Sequence, residues 1–395
     1  MKTALHHLIR EKSEAIFEKV IAYREHMHMY PELSYQEFKT MEYVSSILTA
    51  LGIEHQLGVG TTGIVGIIRA DHHSPEMKCI GLRADLDALP IQEENVIVCK
   101  SKNDGIMHAC GHDVHTAILL GAAEIIHDLR NELPAPVKLI FQPGEEKNPG
   151  GATLMLKDGV LENPAVSEMI ALHVFPDMEV GKVGFKDGIY MASCDEIHLT
   201  INGKGGHGAT PNQCIDPIMI GANIVTQLQQ IVSRKCDPKI PCVLSFGHFE
   251  ALGATNIIPS KAHLKGTFRT MNEAWRAEAL ELIEKQIKLI AESSGATVDL
   301  EISKGYPYLE NDPTVTGKIR EKAISFLGQD FVEELPIRLT SEDFAFYSHE
   351  VPVCFFRLGV RNEAEGITYG VHHPRFNIDN QALKIGTQLM CLAAF

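Results

Sequence analysis

The chain has 395 residues, 45% hydrophobic and 22% charged, proportions of an ordinary globular protein of about two domains, which exclude a disordered or fibrous chain. A formal net charge of -15 excludes a surface built to track nucleic-acid phosphates, which rests on Lys and Arg. Nine scattered cysteines with no C-x-x-C pair exclude a disulfide framework, and most of them read as small buried apolar residues, with Cys110, wedged among polar donors, the exception. Without an apolar run of about 18 residues, and with an N-terminus, "MKTALHHLIREKSEAIFEKV", broken by charge, neither a membrane partner nor a signal peptide is expected. The expected location is the cytoplasm.

In chain order, Ile16, Val20, Tyr23 and Met27 form a helical stripe that stops before Pro31, because the apolar positions recur at helical spacing. A second helix is predicted from "SYQE", where Ser34 and Glu37 match a capping box, through Phe38, Met41, Val44, Leu48 and Leu51 to Gly52. Two helices thus precede a sheet. Short apolar runs at 64–69, 79–84, 137–141 and 169–174, with a helix at 114–130 among them, predict an α/β layer with a largely parallel sheet. Chemistry in such a layer gathers beyond the carboxyl ends of the strands.

From about 188 the pattern changes. Strand "EIHLTINGKG", a helix over 216–233, strands over 242–250 and 261–269, a helix over 273–293 between Asn272 and Gly295, and strand "TVDLEIS" give the β-α-β-β-α-β order of a ferredoxin-like α+β domain. This reads as an insertion. The expected division is 1–187 and 304–395 for the first domain and 188–303 for the second. A helix over 314–327, strand "VCFFRLGV" and a helix from about 380 complete the first.

Donors collect at the predicted strand ends: Cys110 and His112 in "HACGHD", Glu145 and Glu146 in "FQPGEE", His173 in "ALHVFP" and His372 in "GVHHP". Thiolate, imidazole and carboxylate together suit a borderline divalent ion such as zinc. The set exceeds one tetrahedral site, whereas two ions roughly 3.5–4 Å apart would use it and activate a water between them. Adjacent carboxylates in an extended stretch point to opposite sides, so one of Glu145 and Glu146 can hold metal while the other serves as general base. Duller readings stand beside these: His173 or His372 as hydrogen-bonded core histidines, Glu145 and Glu146 as a solvated loop, and His108, His115 and His373 as structural or supporting groups. Asp85 and Asp87 either hold ligating imidazoles or cap strand ends. A Cys110 nucleophile paired with His112 and oriented by Asp113 leaves Glu145, Glu146, His173 and His372 without a role.

Eight stretches then carry a resemblance: "GLRADLDALPI", "MHACGHDVHTA", "FQPGEE", "ALHV", "GKGGHGATPN", "NIIPSKAHLKGTFRT", "SEDFAFY" and "HHPRFNID". In this order they resemble the metal-dependent amidohydrolases that include N-acyl-amino-acid deacylases, hippurate hydrolases, N-acetyldiaminopimelate deacetylases and plant auxin-conjugate hydrolases. The resemblance implies a zinc-peptidase-like catalytic domain interrupted by a lid that forms a homodimer contact. It implies Cys110, His112, Glu146, His173 and His372 as ligands of two divalent ions, zinc or manganese, with cobalt or nickel also suited. It further implies Glu145 as general base, His207 as oxyanion donor acting in its own or the partner subunit, and Asn256 and Arg269 as substrate-binding residues. An oxyanion needs such a donor, and Arg suits a carboxylate.

The expected reaction is hydrolysis of the amide of an N-acyl amino acid carrying acetyl, benzoyl or a similar acyl group. A carboxypeptidase or dipeptidase on the same centre is the enzymatic alternative. A non-catalytic metal-binding scaffold is the other, and it would have no use for a general base.

Overall fold

The computed structural model describes residues 2–395, which fold as two compact units. The first comprises the chain through Gly188, Glu310–Pro336 and Asp343–Phe395; the second comprises Ile189–Leu309 and Ile337–Glu342.

The first unit is built on an eight-stranded sheet in the order Glu54–Val59, Gly63–Ile68, Val137–Gln142, Cys79–Asp85, Val166–Glu179, Val353–Arg361, Val183–Phe185, Val332–Glu334. The third to sixth of these strands run parallel to one another, and antiparallel pairs flank them. Every residue of Val137–Gln142 and Cys79–Asp85 is buried, as befits parallel strands covered on both faces. The His112–Asp128 helix is buried along most of its length and packs against Cys79–Asp85 and the Phe17–Met29 and Gln381–Ala394 helices.

Two sequence expectations fail at the N-terminal end. A Lys2–Ala15 helix precedes Phe17–Met29, and the Ile16 N–H still reaches Lys12 O at 3.1 Å. Among its described side chains only Ile9 and Ser13 are buried, with Leu5 partly buried against the core, so the helix leaves little trace in the pattern. The capping box at Ser34 and Glu37 is also absent: the N-cap Glu37 makes no side-chain cap bond to the Phe38–Ala50 helix, and Glu32 accepts the first-turn Thr40 N–H instead at 2.8 Å, because Ser34 and Glu37 have found distant partners.

The second unit carries a four-stranded antiparallel sheet ordered Cys242–Glu250, Lys261–Thr270, Asp195–Asn202, Thr297–Lys304. The Pro217–Gln230 and Glu273–Ser293 helices cover one face, where Ile197, Leu199 and Ile201 meet Ile220, Ile224, Ile283 and Ile287. Asn272 caps the second helix by accepting the Trp275 N–H at 2.8 Å. In chain order the first and last strands of this sheet, Asp195–Asn202 and Thr297–Lys304, are neighbours, with Asp195 paired to Lys304. Among the described residues, no helix is long and apolar enough to cross a membrane.

Candidate metal centre

The parallel strands of the first unit deliver the donors. Cys79–Asp85 leads into Asp87, and Val137–Gln142 leads into the turn bearing Glu145 and Glu146. His173 lies two residues past Ala171, where pairing with Cys79–Asp85 stops, so it stands beyond the end of that neighbour while still paired with Arg357 on the other side. Cys110 and His112 flank Gly111, the N-cap of the His112–Asp128 helix, whose φ of 85° lies in the left-handed region. A Cβ at Gly111 would stand 2.6 Å from Val174 Cγ2. Gly111→Ala is therefore expected to cost about 1–3 kcal/mol of stability and to lower bound metal, read by urea unfolding and elemental analysis. His372 also has positive φ, 64°, and its N–H bonds to Ala109 O at 2.7 Å, tying the two donor loops together.

The sequence-derived donors converge in three groups, the atoms of each lying within 4.8 Å of one another: Cys110, His112 and His173; Cys110, Glu146 and His372; and His112, Glu145 and Glu146; Asp85, His112 and His115 form a further such group. Cys110 is common to the first two. The His112 Nδ1 faces the Asp87 carbonyl at 2.9 Å and Asp87 Oδ1 at 3.1 Å, while its Nε2 is buried without a hydrogen-bond partner. The His173 Nδ1 lies 2.8 Å from Val174 O and its Nε2 3.4 Å from Cys110 Sγ. Glu146 Oε1, also buried without a hydrogen-bond partner, sits 3.1 Å from His372 Nε2 and 4.0 Å from His112 Nε2. Orphaned polar atoms facing each other in a buried space are costly. A cation among them removes that cost, so the residues fit a metal.

Asp87 organises the cluster. Its Oδ1 accepts the Glu145 N–H and its Oδ2 the Glu146 N–H, each at 3.0 Å, while Oδ2 also accepts the Ser34 hydroxyl at 2.6 Å. Asp85 accepts from Arg83 at 2.7 Å and pairs with His115 Nδ1 at 2.6 Å; the His115 Nε2 accepts the Val174 N–H. Both nitrogens of His115 are thus engaged away from the cluster. His108 is buried, and burial pushes it down to about 4. His373 accepts the Arg375 N–H and stacks on Tyr369.

Burial lowers the His112 imidazole, but the carboxylates of Asp85, Asp87 and Glu146 outweigh it and push the group up to about 10. Burial, then Glu146, Glu145 and Asp85, drive the Cys110 thiol well above its ordinary range. A nucleophilic thiolate needs the opposite environment, whereas a bound cation deprotonates such a thiol outright.

The remaining sequence-derived residues lie in the second unit. His207 is exposed on the short Gly206–His207 strand, paired with Ile257, and the Asn256 carbonyl accepts the neighbouring Gly208 N–H at 2.8 Å. The structure thus brings His207 and Asn256 together. The His207 Nδ1 accepts the Ala209 N–H at 3.0 Å, so a neutral ring carries its proton on Nε2 and can donate from there. Arg269 stands near the end of Lys261–Thr270 and donates to Leu339 O at 3.0 Å.

One part of the centre escaped the sequence reading. The Arg83 guanidinium bonds Gln142, Asp85 and Asp343 at 3.0, 2.7 and 2.9 Å, and the Asp343 N–H reaches Glu145 Oε1 at 3.4 Å. The motif "SEDFAFY", which contains Asp343, was the available signal.

A family model described as Peptidase family M20/M25/M40 matches residues 81–395. The chain belongs to this family. As an M20 protein it is a hydrolase acting on amide bonds. An N-acyl-L-amino acid amidohydrolase of Geobacillus stearothermophilus is 41% identical over 309 residues, covering 77% of this chain and 82% of its own. A thermostable carboxypeptidase of Saccharolobus solfataricus is 36% identical over 378 residues, covering 95% and 94%. Among solved structures, a Bacillus subtilis protein described as a dinuclear metal binding peptidase of the M20 family superposes with a TM-score of 0.79 at 33% identity, covering 96% of this chain and 98% of that one.

Proposed function

We propose that the chain hydrolyses N-acyl-L-amino acids in the cytoplasm, releasing a carboxylate and a free amino acid. The observation that carries the reading is the Glu145–Glu146 pair, whose two amides are held by one carboxylate, Asp87, beside converging thiol, imidazole and carboxylate donors. The Geobacillus relative's name points to the same substrate class.

Cys110, His112, Glu146, His173 and His372 would hold two divalent ions, zinc or manganese, which when bound supply Lewis acidity and a water of lowered pKa. Glu145 takes the proton of the attacking water and returns it to the leaving amine. His207 donates to the developing oxyanion, and Arg269 and Asn256 hold the substrate. In this reading the second unit, 188–303 in the sequence division, serves as lid and homodimer contact, which sedimentation velocity tests: a monomer at micromolar concentration removes that part.

His207→Ala is expected to lower kcat by about 10²–10³-fold with metal content unchanged; unaltered kcat would remove His207 from catalysis. The substrate reading is tested by amine release from N-acetyl, N-benzoyl and longer N-acyl amino acids beside matched dipeptides, using protein stripped of metal and reloaded with zinc or manganese. Metal-restored cleavage of an acyl amino acid supports it. Preference for the dipeptide moves the chain to the carboxypeptidase alternative, the activity in the Saccharolobus relative's name.

A further inference from the structure

The segment that resembles a capping box does something else. The Ser34 hydroxyl donates to Asp87 Oδ2 at 2.6 Å, and Glu37 Oε1 accepts the Gly144 N–H at 2.8 Å while its Oε2 accepts the Thr62 hydroxyl at 2.6 Å. Tyr35 lies between them at a φ of 67°, an unusual conformation for a non-glycine residue. Its ring covers Gly144, where a Cβ would approach Tyr35 Cε1 to 2.2 Å. Its hydroxyl donates to Lys147 O at 2.6 Å and accepts the Gly150 N–H at 3.1 Å. Three residues, Ser34, Tyr35 and Glu37, thus grip both ends of the turn bearing Glu145 and Glu146 and the carboxylate that holds the middle of it.

We infer that residues 34–37 are a positioning clamp for this turn, with Tyr35 and Glu37 as positioning residues that set where the Glu145 carboxylate stands. The catalytic part of this inference rests on the reading of Glu145 as general base. A reacting group displaced by about 1 Å loses on the order of 10²-fold in rate, so a fixed turn matters more here than in a loop that only covers the surface. Strain at Tyr35 is a feature that surrounding contacts must maintain, and the bonds at Lys147 and Gly150 maintain it.

The test uses the metal-loaded full chain with Tyr35→Phe, which keeps the ring over Gly144 and removes one hydroxyl. Glu37→Gln is the second variant: two donors face its two oxygens, and an amide offers one acceptor oxygen in their place. Amide hydrogen exchange is read across 144–150, together with kcat, KM and metal per chain. Each variant is expected to speed exchange in that stretch and lower kcat about tenfold, with KM and metal content unchanged.

Unchanged exchange across 144–150 would overturn the clamp whatever Glu145 does. Faster exchange with unchanged kcat, in a chain that Glu145→Ala inactivates, would overturn its positioning role. If Glu145→Ala retains turnover, the general-base reading falls, and the exchange result alone decides the clamp.

Discussion

Glu145→Ala is expected to keep its metal and lose turnover by about 10²–10⁴-fold, the range for removal of a general base. The separation of the two effects follows from how the turn is held. Asp87 grips the backbone N–H groups of Glu145 and Glu146, and alanine retains that N–H. Cys110, Glu146 and His372, and Cys110, His112 and His173, remain as complete donor groups without Glu145. Elemental analysis and steady-state kinetics on the same preparation measure both quantities. Loss of metal in step with activity would make Glu145 a ligand and reopen which glutamate is the base.

Cys110→Ala is expected to abolish both. Its sulfur is the one donor common to the two groups that draw on His173 and His372, so its removal weakens two sites at once. Loss of a group that merely supports a ligand costs roughly 10–100-fold in metal affinity, and loss of a shared ligand is expected to exceed that. Cys391→Ala is the matched control, since this buried thiol touches Ala122 O at 3.7 Å and takes no part in the cluster. Two tightly held ions in Cys110→Ala would remove the sulfur from its shared position.

Much of the architecture was legible because local signals agreed with one another. In the second unit the strand patterns, the Asn272 cap and Gly295 with its φ of 76° point to the same order of elements, and the structure follows it. The donors were legible as residue types at strand ends, and the resemblance implied that they share two ions; which of them group together was not legible, since Cys110 and His372 meet only through tertiary packing. Ser34 and Glu37 show why local rules fail near such a site. Their spacing fits a cap, yet Ser34 bonds a residue 53 positions away and Glu37 one 107 positions away. Nothing in a single sequence ranks a distant carboxylate or amide above the near one. Asp343 was hidden in the same way, with Arg83, Gln142, Glu145 and Ala152 among its partners.

The pairing of Asp195 with Lys304 bears on how the chain acquires its first sheet. The Val353–Arg361 strand must slot between Val166–Glu179 and Val183–Phe185, although the whole second unit intervenes in sequence. Once its four-stranded sheet has folded, Asp195 and Lys304 stand about 5 Å apart, as neighbours on adjacent antiparallel strands do. The intervening chain then behaves as a short tether, and the closure entropy of a long loop, which grows with the logarithm of its length, is largely removed before the late strand arrives. An early-folding insertion of this kind acts as a built-in splint, so variants that weaken the Asp195–Asn202 pairing with Thr297–Lys304 are expected to slow refolding of a sheet they do not belong to.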